Sequence, residues 1–291
     1  MSDNTRPGLG IALILAAGLM LASQDALAKT LAATYPLLLL VCMRYLVQSL
    51  LMLLLFAPRM GLNLVRTRRP LLQLARGMSL VGITLFFYAG LRYIPLGEAT
   101  AVIFLAPLVV VVISVLWLKE PVSRGVWLAV GGGLVGVLLV VRPGGALFTP
   151  ASLLPLAAAF CFGFYQLLTR RLSETDAPAT SNFLSALVGT VGTAVLLPWI
   201  WQMPAPTDLL LMGALGCLAM VGHMLLTHAY RFASAASLAP FTYGQILIAT
   251  LIGMLVFGHV PDALALLGMA VIMLSGAALV WSQRPAAQNR K

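Results

Sequence analysis

Charge is the scarcest commodity in this chain. Lys and Arg number 18 and Asp and Glu only 8 in 291 residues. The charged share is 9%, against about 25% in a typical soluble domain. That scarcity excludes a soluble globular protein, and a hydrophobic share of 61% excludes a disordered one. Cysteine is rare as well. Cys42, Cys161 and Cys217 all lie inside apolar runs, with no CxxC spacing and no flanking His. A disulfide scaffold is thereby excluded, and the three read as small buried hydrophobes. Gly and Pro are plentiful, 26 and 17, but they are spread through apolar segments and not pooled in a linker. With a mean hydropathy of +1.00, the chain reads as a polytopic membrane protein. A helix needs about 20 apolar residues to cross a bilayer. Ten such spans with short loops consume nearly the whole chain and leave no room for a soluble catalytic domain.

Ten apolar runs are present: Leu9–Ala28, Tyr35–Phe56, Leu71–Leu91, Gly97–Leu118, Val122–Val141, Ser152–Leu168, Thr180–Trp199, Leu209–Ala229, Ala235–Phe257 and Ala263–Trp281. They are continuous and do not alternate in ten-residue stretches, so they predict helices and not barrel strands. The first run could also be a cleaved signal, since Ala26-Leu27-Ala28 resembles a cleavage site. Asp25 beside that site and the length of the run favour a span.

The formal charge of +10 does not point to nucleic acid. No nucleic-acid-binding motif is present, and the basic residues stand at the ends of apolar runs, where they set orientation. With the N-terminus inside, 14 of the 18 Lys and Arg fall in cytoplasmic segments, among them Arg59, Arg66, Arg68, Arg69 and Arg76. Lys29, Arg92 and Arg142 fall at outer ends, and Arg44 lies within a span. The expectation is a bacterial-type inner (cytoplasmic) membrane protein with both termini cytoplasmic.

The two halves repeat. Laying Leu91-Arg92-Tyr93 over Tyr230-Arg231-Phe232 brings span four over span nine and span five over span ten. The units are expected at residues 1–146 and 147–291. Five spans per unit force the second copy to enter the membrane from the opposite side. Inverted repeats are a plan of secondary transporters, with the binding site near the midplane between the two copies.

Several pieces then fall in a familiar order: Ala22–Lys29 (ASQDALAK), Arg44, Ala89–Pro95 (AGLRYIP), Ala106-Pro107, Leu118-Lys119-Glu120, the Gly-rich fifth span with Gly131, Gly132, Gly133 and Gly136, Ala239–Tyr243 (APFTY) and Phe257-Gly258. Together they resemble the EamA-type ten-helix members of the drug/metabolite transporter (DMT) superfamily, over nearly the whole chain. The resemblance implies two inverted five-helix repeats around a cavity enclosed by spans one, three, four, six, eight and nine, with spans five and ten peripheral. It also implies a small organic cargo, with no cofactor and no ATPase subunit. Members include exporters of aromatic and other amino acids (the YddG type) and importers of S-adenosylmethionine or riboflavin. This chain departs from the family in one place. His259 stands where many members carry an acidic residue, while Glu120 is retained in the first half.

Charged groups inside spans are costly and should face a cavity or a partner. Asp25 and Arg44 are the clearest cases, as a buried ion pair or as groups that touch cargo or protons. Glu98 reads as a solvated end charge or a gate, and Glu120 as an inner anchor or a gate. Gln24, Gln166 and Gln245 can donate to a carboxylate and accept from an amine. Tyr88, Phe104, Tyr165 and Tyr243 can supply apolar walls with polar tips. His223 is a packed residue or a proton relay. Its five-residue spacing to His228 argues against a metal pair, and no metal is expected. Gly132 and Gly136 form a GxxxG for close packing within the repeat. Pro107 and Pro240 should kink spans four and nine at different depths.

The expected function is secondary transport: export of amino acids, aromatic ones among them, or of related metabolites. The alternative is import of S-adenosylmethionine, riboflavin or a similar cofactor. A membrane-embedded enzyme is the rival from another class, but no Ser/His/Asp, HExxH or paired-carboxylate set lies in the spans. A channel would need rings of like charge. Expected partners are a small molecule and the lipid bilayer, without nucleic acid, in a monomer or weak dimer.

Overall fold

A computed structural model describes residues 7–118, 124–142, 144–145, 147–173, 175–229, 232, 238 and 241–282. Glu120 and Pro240 lie outside the described residues. In hydrocarbon every backbone N–H and C=O must find a partner within its own segment, so the apolar runs become helices. They are α1 (Pro7–Ala32), α2 (Leu37–Met60), α3 (Pro70–Leu91), α4 (Leu96–Ile103), α5 (Ala106–Leu118), α6 (Arg124–Val141), α7 (Leu153–Leu172), α8 (Pro178–Ala194), α9 (Pro206–Ala229), α10 (Gly244–Phe257) and α11 (Ala263–Ser282). Proline punctuates the starts. Pro7, Pro70, Pro178 and Pro206 occupy first positions, and Pro36 and Pro95 the residues just before. At those places a missing N–H costs nothing. Seven membrane-length apolar helices are present among the described residues, together with two shorter ones at Gly244–Phe257 and Ala263–Leu279.

The usual arrangement of polarity is inverted. Leu54, Leu128, Leu210 and Leu255 are exposed on the outer faces, whereas Arg44, Gln73, Arg76 and Glu98 are buried. Water would penalise those leucines, but acyl chains do not.

Pairing between helices reveals the inverted repeat. The helix α1 packs on α9 and α3 on α7, while α2 packs on α8, α4 on α10 and α6 on α11. Exchanging the two halves maps this set onto itself. The first two pairs interchange, and each of the others maps onto its own reverse. Gly132 packs against Ser275, and Gly136 against Ile272. The GxxxG therefore joins α6 to α11 across the repeats, where packing within one repeat was expected.

Span four breaks between α4 and α5, at Phe104-Leu105, with Pro107 in the first turn of α5. Span nine turns at Tyr243 before α10 begins. The register that lays Leu91 on Tyr230 also lays Phe104 on Tyr243. The described interruptions therefore fall at equivalent depths, although the two prolines do not match. The seventh run is also shorter than expected: α8 ends at Ala194, and Leu197–Trp199 forms a separate 3-10 turn.

Candidate functional site

The sequence predicts two buried charges on spans one and two, and the fold brings both to the centre. Counting from the outer ends of their helices, Gln24 and Arg44 each lie about 10–12 Å deep. Arg44 Nε donates to Gln24 Oε1 at 3.4 Å, and Gln24 Nε2 donates to Asp25 Oδ1 at 3.1 Å and to the Tyr88 hydroxyl at 2.9 Å. Among the described residues there is no Asp25–Arg44 salt bridge, because Gln24 stands between the two. Depth along two helices allowed contact, but helix rotation decides it. On the other side of the guanidinium, Nη2 lies 3.5 Å from His223 Nε2 of α9. The Tyr45 ring centroid is 4.5 Å from Arg44 Cζ. Arg44 Nη1 is buried with no hydrogen-bond partner among the described residues. The first repeat thus supplies α1, α2 and α3 to this cluster, and the second supplies α9.

A second buried guanidinium was not anticipated. Arg76 counted as an inner-end orientation charge, but it is only 2% exposed. Its five N–H groups are all taken. Nε donates to Thr169 Oγ1 at 2.7 Å; Nη1 to Ser181 O and Ser185 Oγ, both at 2.6 Å; and Nη2 to the Tyr165 hydroxyl at 2.6 Å and Asn182 Oδ1 at 3.1 Å. Every acceptor is neutral and belongs to α7 or α8. The signal was present in α3. Gln73, Arg76, Gly77, Leu80, Val81 and Thr84 recur at helical spacing and form one buried stripe. Tyr165, expected as a cavity wall, instead holds Arg76, whose Cζ lies 4.4 Å from its ring centroid.

Glu98 is not a solvated end charge. It is 2% exposed, and one carboxylate oxygen sits 2.8 Å from His259 Nε2. Its other oxygen, Oε2, is buried without a hydrogen-bond partner among the described residues. The backbone explains the position of His259. Gly258 ends α10 at φ +65°, a conformation that favours glycine. Gly258 N–H donates to Met254 O at 3.1 Å, and His259 N–H to Gly253 O at 3.3 Å. The Gly258–Met254 bond is the 5→1 closure of a helix that ends in a left-handed residue, and it turns the imidazole back over Glu98. Lys29 lies beside them, donating to Leu91 O and, at 2.8 Å, to Ile94 O at the end of α3. A cavity of about 240 Å³ opens here, lined by Lys29, Arg92, Phe257 and His259 among others.

Further ties join the halves at both ends. At the end of the bundle where α1 turns into α2, the Tyr35 hydroxyl donates to Asp208 Oδ2 at 2.6 Å, which pushes the Tyr35 phenol above its ordinary range. Arg142 pairs with Asp262, the residue that caps α11 through Ala265 N–H. That arginine, with the capping bond, holds the Asp262 carboxyl below the usual carboxylate range. At the opposite end, where α2 turns into α3, Asp176 accepts from Thr67 Oγ1, from Gln73 Nε2 at 2.8 Å and from Arg68 N–H at 3.3 Å.

Phe104 and Tyr243 meet with ring centroids 5.5 Å apart. The Tyr243 hydroxyl abuts Gly276 of α11 and has no hydrogen-bond partner among the described residues. Gln245 lies against Gly18 of α1, and Gln166 is partly exposed on α7, outside these clusters. His228 bonds its own helix at Met224 O, 2.9 Å away. Among the described residues no group of three metal-ligating side chains occurs.

Comparison with known proteins decides the family. The model of the EamA-like transporter family matches twice, at residues 8–142 and again at 149–282. The chain belongs to the EamA-like transporter family. A riboflavin transporter of Vibrio cholerae is 33% identical over 217 residues, 73% of this chain and 72% of that protein. An S-adenosylmethionine uptake transporter of Rickettsia conorii is 27% identical, over 84% and 82%. The pseudopaline exporter CntI of Pseudomonas aeruginosa is 28% identical, over 93% and 95%. A solved crystal structure shares the fold, with a TM-score of 0.65 at 21% identity, over 92% of this chain and 95% of that one. This EamA-like protein is therefore a multi-pass membrane transporter of the DMT superfamily. Its double match separates the residues at issue. Gln24, Arg44, Arg76 and Glu98 belong to the first copy, and His223, Tyr243 and His259 to the second.

Proposed function

We propose that this EamA-like protein exports amino acids or related small metabolites by alternating access. Its two units span residues 1–146 and 147–291, and its termini face the cytoplasm of a bacterial-type inner membrane. The observation that carries the proposal is the Gln24–Arg44–His223 cluster. It is polar, it lies deep within the spans, and both repeats contribute to it. Polar groups at that depth are costly unless function retains them. Two inverted units can exchange conformations, one side closing as the other opens. The ties at opposite ends suit that exchange: Glu98–His259 at the outer end, and Arg76 with Asp176 at the inner end. Each joins the first unit to the second, so releasing one set opens one side.

A second cargo assignment has its own support. Relatives named for riboflavin and S-adenosylmethionine favour import of a cofactor-sized molecule. Counterflow in proteoliposomes decides between the two. Labelled amino acids, S-adenosylmethionine and riboflavin are offered separately, each with its unlabelled form trapped inside. Protein-dependent accumulation of an amino acid supports the first assignment. Accumulation of riboflavin or S-adenosylmethionine alone replaces it with the second, and accumulation of none contradicts both. Reporter fusions test orientation: a cytoplasmic signal is expected at Arg66, and an external one refutes it.

A further inference from the structure

We infer that the cargo presents a carboxylate to Arg44 Nη1. The two buried guanidinium groups supply the contrast. Arg76 and Arg44 are 2% and 3% exposed. Arg76 spends all five N–H donors on neutral acceptors of α7 and α8. This fold can therefore saturate a buried guanidinium, and at Arg76 it does. At Arg44 it does not: Nε reaches Gln24, Nη2 faces His223, and Nη1 finds no hydrogen-bond acceptor among the described residues. A buried unpaired donor on a charged group is costly. Its chemistry, a fixed planar fork of donors, matches a carboxylate better than any neutral acceptor.

Gln24 adds geometry. By holding Asp25 Oδ1 with its amide nitrogen and Arg44 Nε with its amide oxygen, it keeps the two charges from neutralising each other. An acid and a base held apart in this way suit the two ends of an α-amino carboxylate. Riboflavin has no carboxylate to offer.

The inference presupposes the transport function proposed above, and its test separates the two. Binding to the detergent-purified protein is measured for two matched pairs: L-phenylalanine against phenethylamine, and S-adenosylmethionine against its decarboxylated form. Riboflavin is the uncharged control. In the native protein, at least one carboxylate should bind about tenfold or more tighter than its counterpart, the worth of one charge-assisted hydrogen bond. In Arg44→Gln that ratio should fall to about twofold or less, while Arg44→Lys keeps part of it. The native comparison needs no variant, so it stands even if Arg44→Gln fails to fold. Equal binding within both pairs, or binding by neither carboxylate, overturns the inference. A ratio that survives Arg44→Gln overturns it as well. If riboflavin alone binds and is carried in counterflow, transport stands and the carboxylate falls. If nothing is carried in counterflow, the transport function falls first.

Discussion

Phe104 and Tyr243, which the Leu91–Tyr230 register lays over one another, touch through their rings, with centroids 5.5 Å apart and planes tilted by 51°. Each stands at the interruption of its own span. The two broken helices therefore meet at their breaks, through an aromatic contact worth about 0.5–1.5 kcal/mol beyond its area. Phe104→Ala should lower the melting temperature and slow transport. Tyr243→Phe should be neutral or stabilising, because the hydroxyl it removes is buried without a hydrogen-bond partner among the described residues. Thermal melts followed by size exclusion measure both. A marked loss in Tyr243→Phe would show that the hydroxyl has a function the resting structure does not display.

Arg76 predicts a sharp intolerance. Lysine offers three donors on a point charge and cannot reproduce a five-bond fork. Arg76→Lys should cost about 3 kcal/mol or more, because several buried acceptors of α7 and α8 lose their donor. Folded yield in detergent reads this, and a native-like yield of Arg76→Lys would count against the packing described.

Glu98 and His259 should behave as a unit. Removing His259 alone strands a buried carboxylate, a costly state. His259→Ala should therefore be worse for stability than the double variant Glu98→Gln, His259→Gln. Equal melting temperatures for the two would mean that the pair does not hold the outer end.

Acid should loosen the inner end. Burial opposes the charge on Asp176, but hydrogen bonds from Thr67, Gln73 and the Arg68 N–H prevail and hold its carboxyl below the ordinary value of 3.8. A group depressed in the folded state stabilises it above the unfolded pKa. That stabilisation is lost as pH falls below about 4 and through the folded value. Asp176→Asn should flatten the acid limb of the stability profile and leave the neutral limb nearly flat. Chemical denaturation at pH 7 and pH 3 tests the sign, and an unchanged acid limb contradicts it.

Much of this was legible in the residues. Continuous apolar runs gave the helices, and the Leu91–Tyr230 register gave the repeat, because both follow from chain-local patterns. Asp25 and Arg44 stood out because a charge within a span needs a partner. What escaped depends on rotation and on contacts across the chain. Arg76 passed for an orientation charge because charge counting assumes that a basic residue near a helix end reaches water. Its place on the buried stripe of α3 was the missed cue. His259 is a departure from the family's usual acidic residue, but its partner Glu98 lies in the other repeat and no spacing links them. Gln24 between Asp25 and Arg44 could not be read from depth alone.

Alternation of the two ends is the central claim, and distances between spin labels measure it directly. In a cysteine-free background, with Cys42, Cys161 and Cys217 replaced, one protein carries labels at the exposed outer positions Tyr93 and Val260 and another at the exposed inner positions Arg66 and Ala177. Each pair bridges the two repeats. Reconstituted in lipid and titrated with the cargo found by counterflow, each pair should show a short and a long population. The outer long fraction should rise as the inner long fraction falls. A single unchanging distance at both ends, or long distances growing at both ends together, would contradict alternating access.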